Sequence, residues 1–226
     1  MTTYVLRVWV PDRPGALGAV ASRIGAVRGD LVGIDILERG GGRAIDELLV
    51  ELPGEKLVPL LIAEVSQVDG VDVEDVRPAP DWPADPRLDA LETAAVLVGQ
   101  QGVGPLLDAL AFHVSSDFQT DWAAIVDLDV PVPVVSVGVA PPGPWLGAFV
   151  AGSRASVSSS SELGGPDDVA WAELEAAQLV LVLGRRGRPF RARERRQLAA
   201  VARIASARWM ELVTRSSRLV HPSAAS

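Results

Sequence analysis

The sequence predicts an α+β fold in two unlike parts, and three observations predict it. Over the first 78 residues, segments with apolar side chains at every second position exchange with stripes at spacings of three and four, in the order strand, helix, strand, strand, helix, strand. Four prolines then fall within nine residues, from Pro78 to Pro86. Beyond them the order changes to two helical stripes, several short apolar runs and one long helical stripe.

Each element of the first part has a local reason. Tyr4 to Val10 places Tyr4, Leu6, Val8 and Val10 on one side of a strand and Val5, Arg7 and Trp9 on the other. Asp12-Arg13-Pro14-Gly15 is a turn. Leu17, Val20, Ala21, Ile24 and Val27 line one side of a helix over about residues 15 to 28, closed by Gly29-Asp30. Leu31 to Arg39 alternates again, with Val32, Ile34 and Ile36 on one side. Gly40-Gly41-Gly42 supplies the positive backbone angles of a hairpin into Ile45, Leu48, Val50 and Leu52. Leu57, Leu60, Leu61 and Val65 mark a second helix, and residues 71 to 76 a fourth strand. Two such units predict an antiparallel sheet covered on one side by two helices, the ferredoxin-like arrangement.

The prolines remove backbone donors and disfavour helix at each preceding residue, so residues 79 to 86 are expected to be an extended linker. A second domain is expected over 87 to 214. Helices are expected at Leu88 to about Gln100 and at Val103 to Ser115, then strands at Trp122 to Leu128, Val132 to Val139 and Leu146 to Val150. Residues 151 to 168, rich in Ser and Gly, read as a mobile loop. Val169 to Ala177 reads as a short helix, Leu179 to Leu183 as a strand, and Ala192 to Val213 as a long helix, with 215 to 226 a flexible tail.

Composition excludes several kinds of function. With 48% hydrophobic and 22% charged residues the chain is globular rather than disordered. There is no cysteine and there are only two histidines, which removes disulfides, thiolate chemistry and histidine-rich metal sites. The start shows no basic, long apolar or cleavage-site pattern, and no run approaches the roughly 20 residues of a membrane helix, so a cytoplasmic protein without a membrane partner is expected. The net charge of -8 is unevenly spread: 8 basic against 13 acidic residues over 1–80, 2 against 14 over 81–184, and 11 against 2 over 185–226. The acidic body repels phosphates, and the basic segment is read as neutralising it, so nucleic acid is not the expected partner.

The order of residues 3 to 78, with Asp12-Arg13-Pro14-Gly15-Ala16-Leu17 directly after the first strand, closely resembles the ACT domain family. In that family the turn reads aspartate, any residue, proline, glycine, any residue, leucine, and every fixed position is present. The physical need for these types stands beside the resemblance. Pro14 pre-sets its backbone angle, Gly15 admits a close ligand, and the helix start offers amide donors to a carboxylate. The resemblance implies an amino-acid or similar effector, often held between two such domains, and a regulatory role. It places ligand contacts at Asp12, Arg13, Pro14, Gly15, Ala16 and Leu17, with the start of the second strand, Leu31, Val32, Gly33 and Ile34, completing the site by position. The ligand ammonium would then meet Asp12 or Asp35. Against this stands a plain Asx-type turn that binds nothing.

Val180-Leu181-Val182-Leu183-Gly184, followed by Arg188-Pro189-Phe190, Glu194, Leu198 and Ala202, resembles more loosely the end of a GAF domain, a central antiparallel sheet flanked by helices at both chain ends. Other motifs read as structure. Gly99 to Gly104 lacks the lysine and hydroxyl residue of a phosphate loop and is a turn between helices. Ser158 to Ser161 has no nucleophile elbow. Asp117, Asp121, Asp127 and Asp129 do not follow a calcium loop. His113, among Leu110, Ala111, Phe112 and Val114, sits on a helix face. The arginine run Arg185 to Arg196 reads as a solvated strand-to-helix corner.

The sequence therefore predicts a non-enzymatic regulatory sensor without a cofactor, acting as a homodimer on an unidentified protein partner. Two alternatives stay open. One is an allosterically controlled enzyme whose second domain is catalytic; the other is a transcription-related regulator using the Arg185–Arg196 run.

Overall fold

A computed structural model describes residues 1–79, 86–130, 132–158 and 166–220. Among these residues it holds two four-stranded antiparallel sheets and six α-helices. The chain divides into two compact units, Met1–Ala84 with Arg191–Arg193, and Asp85–Phe190 with Glu194–Ser226.

In the first unit the strands are β1 (Thr2–Pro11), β2 (Asp30–Gly40), β3 (Arg43–Leu52) and β4 (Asp72–Pro78), joined by α1 (Ala16–Ala26) and α2 (Val58–Val65). The sheet order is β2-β3-β1-β4, the connectivity that the alternation of periods predicts. The apolar members of each alternating strand make one core with the helices: Leu6, Val8 and Val10 of β1 and Leu48, Val50 and Leu52 of β3 bury against Val20 and Ile24 of α1 and Leu61 and Val65 of α2. Gly41 and Gly42, at φ 59° and 77°, make the β2–β3 hairpin. β1 departs from the expectation of one buried face. Val5 and Arg7, on the side away from the helices, are buried as well.

The second unit runs α3 (Pro86–Gly99), α4 (Val103–Asp117), β5 (Trp122–Asp127), β6 (Pro133–Gly138), α5 (Gly143–Ser158), β7 (Val169–Leu174), β8 (Leu179–Gly184) and α6 (Ala192–Val220), with sheet order β6-β5-β8-β7. Gly99 ends α3 and Gly102 caps α4, so that glycine-rich piece is the interhelical turn its composition predicts.

Three expectations need correction. Leu146 to Val150 is helical, within α5, rather than a strand: Leu146 and Val150, four residues apart, bury against Ala124, Val126, Val180 and Val182 on one face of the sheet. Residues 151 to 158, expected to open a mobile loop, continue α5 instead; residues 159–165, with most of the serine run, lie outside the described residues. Val169 to Leu174 is a strand rather than a helix. Val169 and Trp171 face the α5 side while Ala170, Ala172 and Leu174 face the α4 and α6 side, a period of two that pairs with β8 throughout. The last helix also extends further than expected, to Val220, and residues 221–226 of the expected flexible tail lie outside the described residues, as do residues 80–85 of the proline-rich stretch.

Gly184 shows how closely this sheet is packed. A Cβ at that position would lie 2.2 Å from ring atoms of Trp122, its partner across the β5–β8 ladder. Gly184→Ala is therefore expected to destabilise the fold by about 1–3 kcal/mol, as overpacked cores do, read from the midpoint of denaturant unfolding.

Candidate functional site

The corner between β1 and α1 is built by its own sequence. The amide of Asp12 donates to the Gly42 carbonyl at 2.9 Å, tying the end of β1 to the β2–β3 hairpin. The amide of Ala16 donates to the Arg13 carbonyl at 3.3 Å, closing a four-residue turn with Pro14 and Gly15 at its centre. Gly15 sits at φ 86°, ψ −14°, the third-position geometry of a type II turn, which requires glycine there and favours proline before it. The Gly15 carbonyl then accepts the Ala19 amide at 3.0 Å and the helix begins.

Among the described residues no side chain caps this helix start. The amides of Leu17 and Gly18, in the first turn, have no carbonyl within the helix to donate to. Asp12, Arg13, Pro14 and Gly15 are all exposed, Ala16 is buried and Leu17 is half-buried against the core. A side chain added at Gly15 or Gly18 would meet nothing within 4 Å. The corner is open, uncapped and positive in its local dipole, so it can accept an anionic group. Arg13 adds a cation, loosely paired at 3.8 Å with the exposed Asp69, a surface contact of little energetic weight.

The second set of expected contacts is not beside the first. Leu31 pairs with Val50 and Gly33 with Leu49, and Val50 and Leu49 pair with Tyr4 and Val5 near the beginning of β1. The corner follows Pro11, at the other end of β1, whose partner is Arg43. Within one chain, Leu31, Val32, Gly33 and Ile34 thus lie at the opposite end of the sheet from Asp12–Leu17. β1 and β2 start at the same end of the sheet, and the turn comes where β1 ends. Asp35 is also removed from the corner, because it pairs with Glu47 on the face away from the helices.

Another acid of this sheet is on the helix-covered face. Asp46 lies in the row Ala44, Asp46, Leu48, Val50, Leu52 on the helix-covered face of β3, opposite Val8 and Ile36. It is 4% exposed, and its Oδ1 has no hydrogen-bond partner among the described residues. Burial chiefly, together with the nearby Asp12 charge, holds its carboxyl above the usual carboxylate range against the opposing charge of Arg39. The signal was present in the sequence, as an aspartate at a position whose period places it among leucines and valines.

On the other face of the same sheet stands a charge network that sequence periodicity does not reveal. Arg7 reaches Glu47 through Nε at 3.0 Å and Nη2 at 2.7 Å, Arg77 reaches the same oxygen at 2.8 Å, and Arg77 also reaches Asp75 at 2.8 Å. Burial by itself would push the Glu47 carboxyl up, but the charges and hydrogen bonds of Arg77 and Arg7 hold it below the usual range.

In the second unit the singled-out residues are absorbed by structure. Arg185 is buried rather than solvated, its guanidinium donating to the carbonyls of Phe118, Arg188 and Pro189. Arg188 donates to the Gln119 carbonyl and Arg195 to those of Phe190 and Asp167. Asp117 accepts from Thr93 at 2.7 Å, Asp121 from the Arg186 amide and Asp127 from the Asp129 amide. His113 stands edge-on to Phe112. Among the described residues no three His, Cys, Asp or Glu side chains are grouped to hold a metal ion, and no helix is long and apolar enough to cross a membrane.

No family model and no curated protein matches the chain. Solved structures do show similarity. The ACT domain of a GTP pyrophosphokinase from Chlorobium tepidum aligns over 34% of this chain and 97% of its own, at 15% identity and a TM-score of 0.28. A formyltetrahydrofolate deformylase from Pseudomonas putida KT2440 aligns over 43% of this chain and 39% of its own, at 18% identity and a TM-score of 0.30. An unknown protein from Galdieria sulphuraria aligns over 70% of this chain and 94% of its own, at 15% identity and a TM-score of 0.32.

Proposed function

We propose that this chain is a regulatory small-molecule-binding protein, not an enzyme, whose first 78 residues form an ACT-type domain that holds an amino-acid effector at the β1–α1 corner. The observation that carries this reading is the uncapped start of α1 behind an exposed Pro14-Gly15 turn, with open space before Gly15 and Gly18. Such a corner suits a carboxylate, which would accept from the first-turn amides with the helix dipole behind them.

A second copy would complete the site. β2 is an edge of its sheet and exposes Ile34 and Ile36, and an uncovered apolar edge favours pairing with another strand. Two β2 strands paired antiparallel about a twofold axis would carry Leu31–Ile34 of one copy toward the end of the sheet that bears Asp12–Leu17 of the other. The effector would stabilise the homodimer and thereby change its contacts with a protein partner. The second unit is read as GAF-like, on its antiparallel sheet with helices at both ends of the chain segment.

Calorimetric titration with the twenty common amino acids tests the reading. One or more is expected to bind the wild type, and Gly15→Val to weaken it by about tenfold or more, because valine resists the left-handed φ and projects into the ligand's space. Titrations in which no amino acid binds the wild type, or in which Gly15→Val binds as the wild type does, would overturn it.

A further inference from the structure

The corner offers donors for a carboxylate, but an amino acid also carries an ammonium group, and the same sheet holds an acid with one oxygen unbonded among the described residues. We propose that Asp46, with Asp12 beside it, is the counter-charge for the ammonium group of the effector. This rests on the effector reading just given and deepens it, since it names the chemistry by which an α-amino acid is told from a simple carboxylate.

Three observations converge on Asp46. Its Oδ1 is buried and, among the described residues, without a hydrogen-bond partner, an arrangement that proteins avoid unless something satisfies the acceptor. It lies on the side of the sheet that α1 covers, and the next residue in its row toward the corner is Ala44, opposite Val10. Ala44 and Ala16, the first residue of α1, are both buried and both small, so no long side chain stands in the row between Asp46 and the turn. Asp12, at the turn, is near enough for its charge to act on Asp46. Two carboxylates of like charge disfavour one another, and an ammonium group between them reverses the sign of that interaction. Arg39, whose charge opposes that of Asp12 at Asp46, is exposed on β2.

An uncharged or anionic ligand would gain nothing from this arrangement. Selectivity would therefore come from Asp46 and Asp12, while the amides of the α1 start would serve carboxylates in general. The two contributions separate by substitution.

The test uses the full chain and two probes: the common amino acid that shifts its melting temperature most, and the same carboxylate with hydrogen in place of the ammonium group. The wild type is expected to bind the amino acid at least about tenfold more tightly than the deaminated probe, and Asp46→Asn to lose about tenfold for the amino acid while the deaminated probe changes by less than about twofold. Asn preserves shape and packing, and Asp46→Ser serves as a second variant should the first unfold. Equal binding of the amino acid by wild type and either folded variant would overturn the role of Asp46 while leaving the corner as the site. Binding of neither probe by the wild type would overturn the effector reading itself. Loss of both probes in Asp46→Asn, with its melting temperature unchanged, would make Asp46 a support of the corner and overturn its assignment to the ammonium group.

Discussion

Glu47→Ala is expected to cost about 3–5 kcal/mol of folding stability, the range for stranding buried charges when one partner of an ion pair is removed. Glu47 Oε1 accepts from Arg7 and from Arg77, and Arg7 is 1% exposed, so the alanine variant would leave a guanidinium inside the sheet without its carboxylate. Denaturant unfolding monitored by circular dichroism measures the loss. Arg7→Met with Glu47→Leu is expected to be much less harmful than Glu47→Ala alone, because apolar groups of similar volume need no charge partner. The same network sets a pH dependence. The folded-state pKa of Glu47 lies below its ordinary value of 4.5, so the unfolded chain binds the proton more readily. Its contribution is complete above pH 4.5 and disappears as pH falls through the depressed folded value. The difference in stability between wild type and Glu47→Gln is therefore expected to shrink on acidification below pH 4.5; a constant difference down to pH 3 would contradict the assignment.

Arg185→Ala is expected to have an effect of similar size, about 3–5 kcal/mol, in the second unit. The Arg185 guanidinium donates to three carbonyls at 2.9 Å, pairs with Glu194 at 2.7 Å and lies 4.0 Å over the Phe190 ring. It thus joins the end of α4, the strand-to-helix connection after β8 and the first turn of α6. Alanine would remove the guanidinium donors from buried carbonyl oxygens and from the half-buried Glu194 carboxylate. Lysine is not expected to restore the loss, because a single ammonium cannot serve several carbonyls from one planar fork. The neighbouring Arg186 is exposed, and Arg186→Ala is expected to change stability by less than about 0.5 kcal/mol. Equal midpoints for the two alanine variants would show that burial of Arg185 does not matter.

Where local periodicity and turn chemistry speak with one voice, the fold was legible in the residues. The hairpin needed Gly41 and Gly42, the type II corner needed Pro14 and Gly15, and the alternation along β1 and β3 needed a single face for Leu6, Val8, Leu48 and Val50. Each demand is met within a few residues of chain. Short apolar runs were not decided this way. Leu146 to Val150 is apolar almost throughout, so it fits a buried strand or a helix equally, and it became a helix because the face formed by Ala124, Val126, Val180 and Val182 required cover. Val169 to Leu174 became a strand because β8 offered it a ladder.

Charged side chains show the same division more sharply. The sequence by itself determined the turn, the helix start behind it and the absence of cysteine chemistry, all properties of neighbouring residues. Only the tertiary structure decided that Arg7, forty positions from Glu47, shares a carboxylate with Arg77, that Leu31–Ile34 begins at the far end of the sheet from Asp12, and that Asp46 Oδ1 is left without a hydrogen-bond partner among the described residues. Those outcomes follow from strand order and register, which bring distant residues together through backbone pairing and leave no periodic trace in the chain.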